Sequence, residues 1–138
     1  MAYLASKVRT CLWMNGGGLE AARFYASLLP DSQVDDPPMP MVITFTLAGA
    51  PMMILDAPGG PAPSSAASLS VITEDQAETD RLWAALTANG GAESHCGWLI
   101  DRFGISWQIV PRRLIECNSA PDREAAGRAV QAMLTMRK

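Results

Sequence analysis

Two short stretches carry residue types that could do chemistry. His95 stands next to Cys96, the pair of types found in a nucleophile and its base, and residues 15–18 read Asn-Gly-Gly-Gly just before a predicted helix, where backbone N–H groups could bind phosphate. Neighbours on a strand point to opposite faces, so His95 and Cys96 cannot pair if residues 93–98 are extended. The glycine run lacks both the GxGxxG spacing and a GK[ST] ending. We interpret the histidine as structural or solvent-facing and the glycines as a plain turn.

Composition restricts the classes of partner. The chain has 138 residues, a net charge of −3, 49% hydrophobic and 18% charged residues, which predicts one acidic globular domain with a real core. No basic stripe favours nucleic acid or an anionic membrane, and no apolar run is long enough to span a bilayer. Three cysteines, an odd number without a regular framework, indicate reduced thiols and a cytoplasmic protein. A small molecule or another protein remains as the partner.

The spacing of apolar residues and the positions of Gly and Pro predict the strands and helices that would position these side chains. We predict strands at 8–14, 41–48, 51–56 and 68–73, further strands within 93–102 and 105–110, and helices at 19–29, 76–88 and 122–136. A strand between the first helix and residue 41 is doubtful, because the prolines of 35–40 favour an edge or a lid over a central strand. The Pro- and Gly-rich stretch 57–66 is predicted to be a linker.

An internal repeat organises these elements. Residues 20–28 align with residues 78–86 at a constant offset of 58, and four of the nine positions are identical. Both halves then run strand, helix, strands. We predict a single domain over 1–138, with module one at about 6–56, the linker at 57–66, module two at about 67–111 and a helical tail at 112–138.

The residues resemble the PhnB-like, demethylubiquinone methyltransferase-like branch of the vicinal oxygen chelate superfamily, which includes glyoxalase I, extradiol dioxygenases and bleomycin-resistance proteins. The resemblance covers nearly the whole chain and is carried by residues 11–14, 22–25, 29–31 and 75–83 and by the stretch Cys-Gly-Trp-Leu-Ile-Asp-Arg-Phe-Gly-Ile-Ser-Trp-Gln-Ile-Val-Pro at 96–111. It implies an α+β fold of paired βαβββ modules, whose mixed sheets curl into a cup with the helices outside. It also implies a homodimer.

Metal-dependent relatives hold one divalent cation with His, Gln and Glu side chains from the first and last strands of each module. The matching positions here are Thr10, Met53 or Leu55, Ser68 and Gln108. Hydroxyls, an amide and a thioether or alkyl group are poor replacements for the hydration shell of a first-row cation. We therefore predict no bound metal and no cofactor. No glycine-rich Rossmann loop is present to hold an adenosyl cofactor either.

Strand alternation predicts an uncharged, hydroxyl-lined and partly apolar cup. The side chains expected to line it are Thr10, Leu12, Thr44, Met53, Leu55, Ser68, Ser70, Trp98 and Gln108.

Three functions stay open from the sequence. The first is metal-independent binding of a small neutral organic ligand, aromatic or quinone-like, in the cup between the modules. The second is a transferase or lyase, including the methyltransferase activity of the family label, in which Thr10, Ser68 and Gln108 orient a substrate and a water or Cys11 reacts. The third is a dimeric interaction protein with a vestigial cup.

Overall fold

The computed structural model describes residues 2–36, 38–118 and 127–128. The chain divides into two compact units, Met1–Ala62 and Pro63–Lys138, and the boundary falls within the stretch 57–66. The expected helix at 122–136 lies outside the described residues except for residues 127 and 128. Within the described part of the chain, no helix is long and apolar enough to cross a membrane.

The first unit contains one helix and one four-stranded sheet. After a 3-10 turn at Ala2–Ala5, its elements are β1 (Thr10–Met14), α1 (Gly18–Leu28), β2 (Gln33–Val34), β3 (Val42–Leu47) and β4 (Ala50–Asp56). The sheet order is β1-β4-β3-β2, with β1 parallel to β4 and the other pairs antiparallel. The doubtful strand exists as β2, two residues long and at the sheet edge. The prolines that follow it cannot donate to a ladder, which fits its short length.

The core of the first unit lies between α1 and one face of this sheet. Phe45 and Ile54 are fully buried, and the ring of Tyr25 on α1 lies 6.4 Å from that of Phe45 between centroids. Alternation along β3 and β4 then places Ile43, Leu47 and Met52 on this helix-covered face. All three are buried, as the alternating apolar pattern predicts.

The second unit repeats the arrangement. Its elements are β5 (Ser68–Thr73), α2 (Gln76–Thr87), a 3-10 turn at Ala88–Gly90, β6 (Ala92–Glu93), β7 (Trp98–Ile100), β8 (Ser106–Pro111) and α3 (Arg112–Asn118). The sheet order is β5-β8-β7-β6, and β5 is parallel to β8. The hydroxyls of Thr73 on β5 and Thr79 on α2 form a buried hydrogen bond of 2.6 Å, which identifies the face that α2 covers. Leu99, Trp107 and Ile109 are buried on that face.

A buried carboxylate organises the turn between β7 and β8. Asp101 is 3% exposed. Its Oδ1 accepts from the backbone N–H groups of Phe103 and Ile105 at 2.8 and 3.1 Å, and its Oδ2 accepts from the Trp107 indole at 2.8 Å. Adjacent Asp and Arg residues suggest a surface ion pair, but Asp101 is not at the surface. The carboxylate instead satisfies three donors that burial would otherwise leave without water.

Candidate functional site

In each unit α1 or α2 covers one sheet face, and we call the opposite face, on which neither of these two helices packs, the helix-free face. In the second unit that face gathers four of the predicted site residues. The register pairs Gln108 on the central strand β8 with Ser70 on β5 and with Trp98 on β7. Paired residues share a face, so these three side chains form one row across the sheet. Ser68 lies on the same face, and its Oγ accepts a hydrogen bond of 2.8 Å from Gln108 Nε2. We call Ser68, Ser70, Trp98 and Gln108 the Gln108 row.

The surroundings of the Gln108 row are apolar or hydroxyl-bearing. Ile72 and Ile100 lie on the same face and are exposed, and the hydroxyls of Ser65 and Ser106 are 3.2 Å apart. Trp98 and Gln108 are half-buried, so both side chains keep part of their surface accessible. No charged side chain belongs to the row. This face can therefore offer an indole surface, an amide and hydroxyls to a neutral molecule.

In the first unit the structure separates the predicted site residues. Cys11 pairs with Met53 and Trp13 with Leu55, and Met53 pairs in turn with Thr44. Thr44, Met53 and Leu55 thus share the helix-free face. Thr10 and Leu12 pair with Met52 and Ile54, which are buried on the helix-covered face. The prediction that Thr10 and Leu12 share a face with Thr44 is therefore wrong.

The error comes from one extra residue between strand and helix. The buried positions of α1 and α2 keep the offset of 58, since Tyr25 corresponds to Trp83 and Leu28 to Leu86. Three residues connect β1 to α1, whereas two connect β5 to α2. The strands consequently correspond at an offset of 59, which matches buried Met14 with buried Thr73. A shift of one residue turns every side chain of a strand to the other face.

Two residues outside the predicted lining take the positions expected for Thr10 and Leu12: Cys11, which the sequence analysis named only as a possible reacting thiol, and Trp13, which it did not name. Cys11 and Trp13 lie on the helix-free face of the first unit, and Trp13 is 40% exposed. The Trp13 indole donates to the Ala57 carbonyl at 2.9 Å, and a Cβ placed on Gly60 would meet that indole at 2.7 Å. The beginning of the predicted linker is thus held against Trp13. The period-two pattern could have found both residues had the strand been aligned at the correct offset.

The first unit also has charged groups that the expectation of an uncharged lining did not include. The Thr44 hydroxyl donates to Asp35 Oδ2 at 2.7 Å, and Arg9 donates to the Met52 carbonyl at 3.0 Å. A polar concavity of about 410 Å³ lies at the β2 edge and is lined by Asp31, Ser32, Gln33, Asp35 and Thr46. Its two carboxylates disfavour anionic ligands at this edge.

The donors at the expected metal positions do not fit a divalent first-row cation. Ser68 contributes a hydroxyl and Gln108 an amide, and these two groups are hydrogen-bonded to each other. Met53 contributes a thioether. Among the residues that the structure describes, no group of three or more His, Cys, Asp or Glu side chains could hold a metal ion. We derive no chemistry through a metal.

The His95–Cys96 segment is a turn, so the premise that residues 93–98 are extended is wrong. Trp98 N donates to the His95 carbonyl at 2.9 Å, and both Cys96 and Gly97 have positive φ. This backbone is that of the tight two-residue turns that join antiparallel strands. His95 is exposed, as the sequence predicts, and all three cysteines are free thiols.

The backbone N–H groups of the glycine run before α1 bind a side chain of the protein itself. The Asp56 carboxylate accepts from Gly16 N at 2.8 Å and from Gly18 N at 3.0 Å. A Cβ on Gly18 would approach this carboxylate to 2.9 Å, which explains the glycine there. Gly17, at the N-cap position, makes no side-chain cap. Asp56 thus supplies the negative charge that a helix N-terminus favours, and the interpretation as a plain turn is consistent with this geometry.

Comparison with known structures gives the fold a context. A PhnB protein from Bacillus cereus is 29% identical, with a TM-score of 0.68 over 77% of this chain and 99% of its own. A protein from Pseudomonas aeruginosa is 23% identical, with a TM-score of 0.62 over 78% of this chain and 98% of its own. A glyoxalase/bleomycin resistance protein from Albidiferax ferrireducens is 18% identical, with a TM-score of 0.54 over 78% of this chain and 99% of its own. The comparison with curated proteins finds no match.

These similarities confirm the predicted α+β fold class, in which βαβββ modules carry mixed sheets with helices. The family model described as 3-demethylubiquinone-9 3-methyltransferase matches residues 6–110, which is most of the chain. The chain belongs to this PhnB-like family.

Proposed function

We propose that this protein binds a small neutral organic molecule on the helix-free face of its second unit, and that binding requires no metal. Membership of the PhnB-like family and the glyoxalase-type neighbours support small-molecule binding in general. The single observation that carries the finer proposal is the Gln108 row. It places an indole, an amide and two hydroxyls side by side on one open face.

The charge of the row decides the class of ligand. Ser68, Ser70, Trp98 and Gln108 are all neutral, so the row itself offers no counter-charge for a phosphate or a carboxylate. Burying an unpaired anion against such a face would cost several kcal/mol, on the order of the penalty for desolvating an ion without a partner. A neutral ring avoids that cost and gains contact with the Trp98 indole and the apolar Ile100.

Metal independence follows from the same side chains. The Gln108 amide already donates to Ser68, and an amide with a hydroxyl lacks the charge that displaces water from a divalent cation. We therefore expect affinity for the ligand to be the same in the presence of a chelator.

A thermal-shift screen tests the proposal. Neutral aromatic alcohols, quinones, an adenosyl cofactor and glutathione adducts are each added with EDTA, with Mn²⁺ and with Ni²⁺. We expect stabilisation by a neutral ring compound in EDTA. Stabilisation that requires metal would overturn the proposal, and stabilisation by the adenosyl cofactor would favour the methyltransferase of the family label.

Two variants locate the binding. Trp98→Leu removes the indole and should weaken binding by about tenfold, the effect of losing an aromatic contact worth about 1.5 kcal/mol. Phe103→Leu is the matched control, because Phe103 is a half-buried aromatic of the same unit outside the row. Equal effects of the two substitutions would contradict the assignment to the row.

The homodimer implied by the family resemblance stays a prediction. Sedimentation equilibrium should give twice the mass of the chain, and a concentration-independent monomer would refute it.

A further inference from the structure

The hydrogen bonds of Gln108 indicate which polar group a ligand must bring. Its Nε2 is engaged with Ser68 Oγ at 2.8 Å. Among residues 2–36, 38–118 and 127–128, none donates a hydrogen bond to Gln108 Oε1. The NH₂ group has a second N–H besides the one that binds Ser68, and Oε1 of this half-buried amide is an acceptor without a donor among the described residues.

A ligand that lies against Trp98 would cover this acceptor and remove water from it. Trp98 is the neighbour of Gln108 across the β7–β8 ladder, so a ring against the indole lies beside the amide. A carbonyl on the ring can accept from the second N–H of Gln108, but it cannot donate to Oε1, which then stays without a proton. A hydroxyl can donate to Oε1, and it leaves the oxygen satisfied when the water is gone.

We infer that the ligand of the Gln108 row is a neutral planar ring bearing a hydroxyl group, which donates to Gln108 Oε1 while the ring packs against Trp98. This inference rests on the proposed function and narrows its ligand class from neutral rings to hydroxylated ones. Ser70, exposed at the other end of the row, adds a second hydroxyl that can bond the ligand oxygen.

The test compares 2-naphthol with its methyl ether, 2-methoxynaphthalene, and with 1,4-naphthoquinone, a planar bicyclic molecule of similar size that carries two carbonyls and no hydroxyl. Their dissociation constants are measured in EDTA by NMR, following the Trp98 indole N–H, which Trp98→Phe assigns. We expect 2-naphthol to bind about fivefold more tightly than its methyl ether, the ratio for one net hydrogen bond of about 1 kcal/mol. The quinone cannot donate to Oε1 and should therefore bind more weakly than 2-naphthol.

Substitution of Gln108 separates the hydroxyl contact from general affinity. Gln108→Leu should bring the ratio of naphthol to ether affinity to about one, whereas Gln108→Glu keeps an acceptor and should preserve the preference. Gln33→Leu, the same change at an exposed position of the first unit, is the matched control and should leave the ratio unchanged. Each variant is first checked for native folding by its thermal transition.

The possible outcomes distinguish this inference from the function on which it rests. Equal binding of naphthol and ether, or a preference that survives Gln108→Leu, would overturn the hydroxyl assignment and leave ring binding intact. Failure of all three probes to shift the Trp98 indole resonance would overturn the proposed binding face and the inference with it.

Discussion

Replacement of Asp101 should remove a large share of the stability of the second unit. Its carboxylate accepts three hydrogen bonds, from Phe103 N, Ile105 N and Trp107 Nε1, and it is 3% exposed. Asp101→Ala leaves three donors without this acceptor, at about 1–3 kcal/mol for each unsatisfied group. Because neighbouring effects are not additive and water can enter the new space, we expect a total loss of about 3–5 kcal/mol.

Asp101→Asn gives a graded version of the same perturbation. The amide keeps one oxygen, but its NH₂ group then faces either the Trp107 indole or the backbone N–H groups, so at least one donor is left facing a donor. We expect a loss of about 1–3 kcal/mol, smaller than that of the alanine variant. The free energy of unfolding is measured by urea titration of the whole chain, with circular dichroism as the readout.

The matched control is Asp36→Ala, which removes a carboxylate from an exposed loop position of the first unit. We expect it to change the unfolding free energy by less than about 0.5 kcal/mol, the usual range for such surface substitutions. If Asp101→Ala were no more destabilising than Asp36→Ala, the buried carboxylate would not organise the β7–β8 turn and our reasoning would be refuted.

Three further predictions concern contacts away from the Gln108 row. Asp56→Ala should destabilise the protein by about 1–2 kcal/mol in urea unfolding, because the N-terminus of α1 loses the acceptor for Gly16 and Gly18. Gly60→Ala should shift the fluorescence of Trp13 and lower the melting temperature, because the added Cβ meets the indole at 2.7 Å. The pKa of Glu74 should lie below its ordinary value, because the Arg112 side chain donates two hydrogen bonds of 2.8 Å to its carboxylate. The stabilising contribution of this ion pair is therefore present above the ordinary pKa and is lost as pH falls through the lowered one, which NMR titration of Glu74 can follow.

Each of these predictions has a control and a contradicting result. Asp36→Ala again serves for Asp56→Ala, and similar losses for the two would refute the capping role. Gly127→Ala serves for Gly60→Ala, because a Cβ at Gly127 meets nothing within 4 Å. An unchanged Trp13 emission in Gly60→Ala would show that the contact does not form in solution. Arg112→Gln should return the pKa of Glu74 to its ordinary range, and no change would exclude Arg112 as the cause.

Local patterns predicted the elements well because each follows from nearby residues. The period-two alternation of β3 and β4 and the Gly49 turn between them depend only on a dozen consecutive positions. The internal repeat carried the strand–helix–strand order of both units. The edge position of β2 also agrees with the prolines close behind it, which predicted an edge or a lid and left a strand there doubtful.

The sheet face on which a given side chain lies is harder to predict than the strand itself, because it depends on the register between strands. In the second unit the motif at 96–111 fixed the alignment, and Trp98 and Gln108 emerged on one face. In the first unit the offset of 58 that aligns the helices does not align the strands, because the connection from β1 to α1 is one residue longer than the connection from β5 to α2. The prediction therefore placed Thr10 and Leu12 on the wrong face. Only the pairing of β1 with β4 resolves such an ambiguity.

Asp101 shows a second limit of sequence reasoning. A charged pair close to a glycine is usually exposed, and nothing local indicates that the Trp107 indole donates to the Asp101 carboxylate across the turn. The available signal was the spacing Asp101 to Gly104, typical of a turn in which an aspartate accepts from the backbone two residues on. Gly104 has a φ of +87°, which agrees with such a turn.

The most direct test of the central claim is a crystal structure of the protein grown in EDTA and soaked with 2-naphthol. Our account predicts a ring against Trp98 with its oxygen within hydrogen-bond distance of Gln108 Oε1, and no metal density. A ligand bound away from the helix-free face of the second unit, or one bound only when metal is supplied, would contradict it.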